Sequence, residues 1–371
     1  MMDEDWKVLT TLFPYDWKEL ASSSGALKGL RKDKSEENLL RTLLIHLGCG
    51  YSLRETVVRA RQADLADLSD VALLKRLRKS KEWLHALCRA LFVERGVERE
   101  EETGPSMRLF DATVISEPGK TGSLWRVHYS VQVPSLRCDY FKLTATQGKG
   151  TGESFQQFPI EAGDFVLADR GYSAAAGIEY VDSKEAFVTL RFNPQNVIIT
   201  QQSGHPFDLL GHLKRFKRTG VVRVWPVLVP AGATHSVPGR ICVMRKSKEA
   251  IRQAHQKLRR RASKNGQKLR PQTLVYAEYI IVFTTFPEEE FSASAVLEWY
   301  RIRWQIELVF KRFKQIAKLG HLPKHDEESA QAWLYGKLFI ALVTEKLIDH
   351  AASISPWGYI MDPSATPKPV A

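Results

Sequence analysis

Phe165-Val166-Leu167-Ala168-Asp169-Arg170-Gly171-Tyr172 is the stretch from which the fold can be read. An unbroken apolar run ends in a carboxylate, and a Gly-containing turn follows. A run this short and this apolar reads as a strand covered on both faces, as in the interior of a parallel or mixed sheet. Downstream, the spacing predicts a helix over 174–181 and a strand over 186–190. Upstream, the hydrophobic period is two. Met107-Arg108-Leu109-Phe110-Asp111 reads as a strand that also ends in a carboxylate. Trp125 to Val133 alternates as a half-buried antiparallel strand should, and Tyr140 to Thr146 is a third strand, followed by a loop carrying Gly148, Gly150 and Gly152. Three antiparallel strands and then strand–helix–strand define an α/β core.

Before this core, residues 1–103 read as all-helical. Trp6 to Leu12 is a short helix ended by Pro14. Ser35 caps a helix through Leu39, Leu40, Leu43, Leu44 and Leu47, stopped at Gly48-Cys49-Gly50. Ser52-Leu53-Arg54-Glu55 has the capping-box pattern, and Asp67 or Ser69 caps the next helix. Trp83, Leu84, Leu87 and Leu91 mark another. Basic outer faces fit either a helical DNA-binding domain or a helical cap with solvated lysines. Glu94 to Pro105 reads as a linker.

The chain has 371 residues, 44% of them hydrophobic and 26% charged, as in soluble globular proteins. No apolar run is long enough to span a bilayer, and the acidic N-terminus is not a signal peptide. Cys49, Cys88, Cys138 and Cys242 are far apart, which argues against a zinc site or a disulfide framework and suits a reducing cytoplasm. The net charge of +12 is unevenly placed. Arg245–Arg270 holds eleven Lys or Arg and one acid, Glu249, a net of +10. Lys214, Arg215, Lys217, Arg218 and Arg223 form a second cluster. Such one-sided charge points to a polyanion, most simply nucleic acid, and Arg259, Arg260 and Arg261 are candidate phosphate contacts. A membrane surface fits less well, because the basic stretch lacks a strong apolar opposite face.

The late segment Trp299–Ile316 has no Gly or Pro, and its apolar residues recur at helical spacing. At about 100° per residue, Tyr300, Arg303, Glu307 and Lys314 share a narrow arc, beside an apolar arc of Ile302, Ile306, Val309, Phe313 and Ile316. A solvated flank in which Arg303 and Lys311 pair with Glu307 is one reading of this arc. The four residues also form a longer pattern, Tyr-x2-Arg-x3-Glu-x6-Lys.

That pattern resembles the signature of bacterial insertion-sequence transposases of the IS-four family, within the DDE superfamily. Phe110-Asp111-Ala112-Thr113 and Ala168-Asp169-Arg170-Gly171-Tyr172 are similar to the contexts of the family's two aspartates, and all three blocks occur in order. The resemblance covers roughly residues 40–345. It implies a ribonuclease-H-like catalytic core over 104–350, with an inserted mostly-β subdomain at about 191–285. It also implies that residues 1–103 bind DNA; residues 351–371, with several Pro and Ser, read from their composition as a loose tail. Within the insertion, Glu249–Arg261 reads as a basic helix and Thr273–Thr285 as an apolar strand, and Ser329–Asp349 is a helical tail packed on the core.

Asp111, Asp169 and Glu307 would then be the catalytic carboxylates, a set of hard oxygen donors suited to two Mg²⁺ or Mn²⁺ ions. Tyr300, Arg303 and Lys314 would grip phosphates of the substrate strand. Tyr279 has two readings, an aromatic that stacks on a flipped base, as in some relatives, or a core tyrosine. Glu153 is left without a role. The implied activity is cut-and-paste transposition: binding of terminal inverted repeats, cleavage at the element ends, and joining of 3′-hydroxyls to target DNA. A synaptic homodimer and a cytoplasmic, nucleoid-associated location follow from it. Two other readings use the same residues: a metal-dependent nuclease without strand transfer, and a silent DNA-binding protein derived from a transposase.

Overall fold

The computed structural model describes residues 3–30, 35–100, 107–116, 123–133, 138–148, 150–232, 235–303 and 326–354. The chain begins with six helices: α1 (Asp3–Thr10), α2 (Trp17–Ser23), α3 (Glu36–Cys49), α4 (Leu53–Gln62), α5 (Asp70–Lys79) and α6 (Lys81–Glu100). Their starts follow local capping chemistry. The Ser35, Ser52 and Ser69 side chains accept hydrogen bonds from the backbone N–H groups of Asn38, Glu55 and Ala72, so each satisfies an amide that has no partner within its helix. α3 stops where Gly50 takes a left-handed φ of 73°. The stretch read as a linker from Glu94 is helical through Glu100. Nothing before Pro105 blocks helix propagation, and Lys346 Nζ holds Glu94 Oε2 at 2.8 Å.

The strands are β1 (Met107–Ser116), β2 (Ser123–Val133), β3 (Cys138–Ala145), β4 (Phe165–Ala168), β5 (Phe187–Arg191), β6 (Val222–Ala231), β7 (His235–Arg245) and β8 (Tyr279–Thr284). They form one mixed sheet in the order β3-β2-β1-β4-β5-β8-β7-β6. β1, β4 and β5 run parallel in the middle, and every other pairing is antiparallel. Remaining helices are α7 (Ala175–Asp182), α8 (Leu209–Arg215), α9 (Lys248–Lys264), α10 (Pro271–Ala277), α11 (Ala293–Ile302) and α12 (Glu327–Ile354).

The central strand β4 is buried on both sides, as its unbroken apolar run requires. Phe165 and Leu167 face the cluster that includes Leu40, Leu43, Trp83, Leu109 and Leu342. Val166 and Ala168 face a second cluster built on Phe110, Phe155, Ile178 and Phe283. The N-terminal helices therefore share one core with a face of the sheet and with α12. Gly336 on α12 allows that contact: a Cβ there would meet Leu47 Cδ1 at 2.4 Å. Gly336→Leu would force α3 and α12 apart.

Further sequence expectations meet the structure as follows. β1 does not stop at Asp111 but continues to Ser116, because β2 pairs along its whole length. Thr273–Thr285 is not a single strand: α10, with Pro271 at its first turn, precedes β8. The strands at 191–285, expected as an inserted mostly-β subdomain, lie in the same sheet as the first five. β8 pairs with β5 through Thr189↔Thr284, with their hydroxyls 2.6 Å apart, so β6–β8 continue the sheet.

Candidate active site

Parallel pairing of β1 with β4 ends at Phe110↔Ala168. Asp111 and Asp169 are the next residue on each strand. By strand alternation both fall on the face of Leu109 and Leu167, opposite that of Phe110 and Ala168. Neighbouring strands lie about 4.8 Å apart, so this register alone brings the two carboxylates together. Beyond Ala168 the chain turns away, and Asp169 caps a short 3₁₀ turn, Arg170–Tyr172, by accepting from the Arg170 amide.

Asp111 is held from two sides. Its Oδ1 accepts from the Ala112 N–H at 2.8 Å, and its Oδ2 accepts from the Tyr129 hydroxyl at 3.1 Å. Tyr129 stands directly opposite on β2, in the Asp111↔Tyr129 pair. Burial pushes the Asp111 carboxyl up to about 6, and the negative charge of Asp169 adds to the rise. The two hydrogen bonds and the Arg303 guanidinium pull the other way without cancelling it. Tyr129, itself buried, is raised well above its ordinary value, so its hydroxyl stays a donor.

α11 delivers the other matched residues. Tyr300 is buried at its last turn, and the Arg303 guanidinium lies 5.7 Å from the Tyr300 ring centre. Burial raises the Tyr300 phenol to about 12, with Arg303 and Arg191 opposing and Asp169 adding to the rise. Tyr300 and Arg303 thus share the electrostatic surroundings of Asp169 and Asp111. Glu307 and Lys314, with Lys311, lie outside the described residues. Among the described residues no group of three or more His, Cys, Asp or Glu is placed to hold a metal ion.

The remaining sequence candidates lie elsewhere. Arg259, Arg260 and Arg261 are exposed on α9, a helix with no buried residue, and no carboxylate pairs with them among the described residues. Tyr279 is a core residue at 1% exposure. Its hydroxyl donates to the carbonyls of Leu213 and Phe216, each at 2.7 Å, so the ring is sealed from a nucleobase. Sequence reasoning missed Tyr129. The signal was present in the β1–β2 register, because counting back along two alternating strands sets it against Asp111.

With this geometry in place, similarity to known proteins assigns the chain. The family described as "Transposase DDE domain" matches residues 144–343. The putative transposase InsL for insertion sequence element IS186A of Escherichia coli K12 is 30% identical over 349 residues, 92% of this chain and 93% of that protein. The transposase for insertion sequence element IS421 of Escherichia coli is 30% identical over 350 residues, with the same coverage of each. A solved piggyBac transposase synaptic complex with hairpin DNA aligns over 93% of this chain and 75% of that chain, at 8% identity and a TM-score of 0.48. The chain belongs to the DDE-domain transposases, and within them to the insertion-sequence transposases of the IS-four family. It is a DNA transposase, an enzyme that cleaves DNA and transfers strands.

Proposed function

We propose that Asp111 and Asp169 are the first two catalytic carboxylates and that Glu307 completes the set. One observation carries the reading: two aspartates leave adjacent parallel strands at the same level, and one of them is kept near pH 6 by burial and its neighbour. A pair so arranged gains from a bound cation, which would offset the burial that chiefly raises Asp111 and the smaller repulsion from Asp169. The donors are all hard carboxylate oxygens, which fits Mg²⁺ or Mn²⁺. Asp111, Asp169 and Glu307 would hold the ions, which when bound supply charge stabilisation at the attacking and leaving oxygens of phosphodiester cleavage.

Side chains around the pair do the rest. Tyr129 donates to Asp111 Oδ2 and, with the Ala112 amide on Oδ1, fixes the orientation of the carboxylate. Arg303, backed by the Tyr300 ring, presents a cation to a phosphate of the cleaved strand, and Lys314 a second. The strand order around β1, β4 and β5 supports a ribonuclease-H-like core, with α1–α6 as a DNA-binding region and α9 as a further basic contact. On this reading the protein binds terminal inverted repeats as a homodimer, cleaves at the element ends and joins the freed 3′-hydroxyls to target DNA.

The test is single-turnover cleavage of a labelled duplex bearing an element end. Asp169→Ala is expected to lose at least about a thousandfold in rate, with end binding retained. A rate within threefold of wild type removes Asp169 from the site.

A further inference from the structure

Glu153, unassigned by the sequence, reaches into the same place. A Cβ built on Gly171 would lie 1.9 Å from Glu153 Oε2 and 3.1 Å from its Cδ. The carboxylate therefore rests against the backbone of Gly171, two residues past Asp169, in space that only a glycine leaves open. Glu153 is exposed as a residue, but partial burial raises its pKa. Asp169 adds to that rise and Arg126 opposes it.

The chain on both sides of Glu153 is fastened. Arg126 of β2 donates through Nη1 to the Thr151 carbonyl, and the Gln157 side chain donates to the Gly150 carbonyl. Phe155 is fully buried, with its ring 5.2 Å from that of Tyr172. Tyr172 in turn feels the charges of Asp111, Glu153 and Asp169 together. Yet no donor among the described residues hydrogen-bonds the Glu153 carboxylate. Set beside another acid and in a fastened loop, the carboxylate is placed to accept from a group other than the described residues, such as bound water.

We propose that Glu153 is a positioning residue of the Asp111–Asp169 site, an outer carboxylate that accepts hydrogen bonds from the water shell of a bound divalent cation. The inference rests on the cation-site reading above. In this role Glu153 touches neither the scissile strand nor the cation; it orients and tightens what the inner carboxylates hold.

The test is Mn²⁺ binding to the full-length protein by calorimetry, without DNA, in wild type, Asp111→Asn, Glu153→Gln, Glu153→Asp and Gly171→Ala. Asp111→Asn is expected to abolish the measured binding. Glu153→Gln should weaken it about 10- to 100-fold, the usual cost of losing an outer partner of a metal ligand. Glu153→Asp should recover part of the loss. Gly171→Ala should weaken binding with the charge intact, because it displaces the carboxylate. Metal-free melting temperatures of the Glu153 variants should match wild type or exceed it, which a merely structural carboxylate would not allow. If Asp111→Asn abolishes binding and Glu153→Gln binds as wild type does, the role of Glu153 is overturned while the cation site stands. If Asp111→Asn itself binds normally, both fall. A loss at Glu153→Gln as complete as at Asp111→Asn makes Glu153 a direct ligand and overturns the outer position.

Discussion

Arg108 and Asp111 stand three residues apart on β1, and each sits among buried charge, but their surroundings are opposite in kind. Arg108 is 4% exposed. Its guanidinium donates to Asp139 at 2.8 Å, to Asp164 at 3.0 Å, to Ser130 at 3.0 Å and to the Pro159 carbonyl at 2.6 Å. Burial pulls its pKa down, and the two carboxylates more than offset that. Asp164 also accepts from the Glu161 amide, and Asp139 from the Ser130 hydroxyl. That cluster is complete as it stands, and it ties β1, β2 and β3 to the loop before β4. Around Asp111 the described residues leave the balance short: burial lifts its pKa to about 6, a second acid adds to the rise, and its hydrogen-bond donors are neutral. Buried acids completed by the fold read as structure; buried acids left incomplete read as a site.

Breaking the complete cluster should produce the largest change in stability. Arg108→Met leaves Asp139 and Asp164 facing each other without their cation. Removing one partner of a buried pair costs about 3–5 kcal/mol, so urea denaturation should show a loss of that size at pH 7. A loss below about 1 kcal/mol would make the cluster as weak as an exposed ion pair and erase the contrast with Asp111.

The incomplete pair should respond in the opposite direction. Asp111 has a folded pKa of about 6 against an ordinary value of 3.8. A raised pKa contributes stability below the unfolded value, and that stability is lost as pH rises through the folded value. In metal-free protein, Asp111→Asn should therefore be more stable than wild type at pH 7.5, by about 1–3 kcal/mol. The difference should grow between about pH 4 and 6 and then level off. Mg²⁺ should shrink it at pH 7.5 by stabilising only the wild type, while cleavage by the variant is lost. Thermal melts of both proteins in EDTA across this range check the point, and a difference independent of pH contradicts it.

The comparison also explains what was legible in the sequence. The strands that carry Asp111 and Asp169 were readable because their apolar positions declare themselves locally; the two residues became site candidates through the family resemblance, not through that pattern. Serine caps, the helical N-terminal region and the basic helix were likewise readable from local pattern. The Arg108 cluster was not: an arginine between Met107 and Leu109 looks like an outward-facing residue of an alternating strand until Asp139 and Asp164 arrive from distant positions. α10 was lost inside Thr273–Thr285 because Leu274-Val275-Tyr276 and the following strand make one apolar run, and Pro271 at the start was the overlooked signal. The union of β6–β8 with the first five strands depends on the free edge of β5, which no local pattern marks. Glu153 needed Gly171 opposite it, and only the packed structure shows that opening.

α9 sharpens the comparison from outside, with the smallest effect on the fold. Here charge is again unbalanced, but the helix has no buried residue and its arginines are exposed, so water solvates what the interior cannot. Arg259, Arg260 and Arg261 pair with no acid among the described residues, so replacing all three with Gln should change folding stability by less than about 0.5 kcal/mol each. Their effect should appear only when a polyanion replaces the water. Each arginine that neutralises a DNA phosphate releases a counterion, worth about 0.9 in the log–log slope of affinity against salt, so the triple variant should flatten the slope by up to about 2.7. Binding titrations of an end-bearing duplex at several salt concentrations measure this directly. Because the contacts are to the backbone, end-bearing and unrelated duplexes should lose affinity about equally. A slope unchanged from wild type would mean that these arginines stay in solvent when DNA is bound. A loss confined to the end sequence would instead make α9 a reader of bases rather than a holder of phosphates.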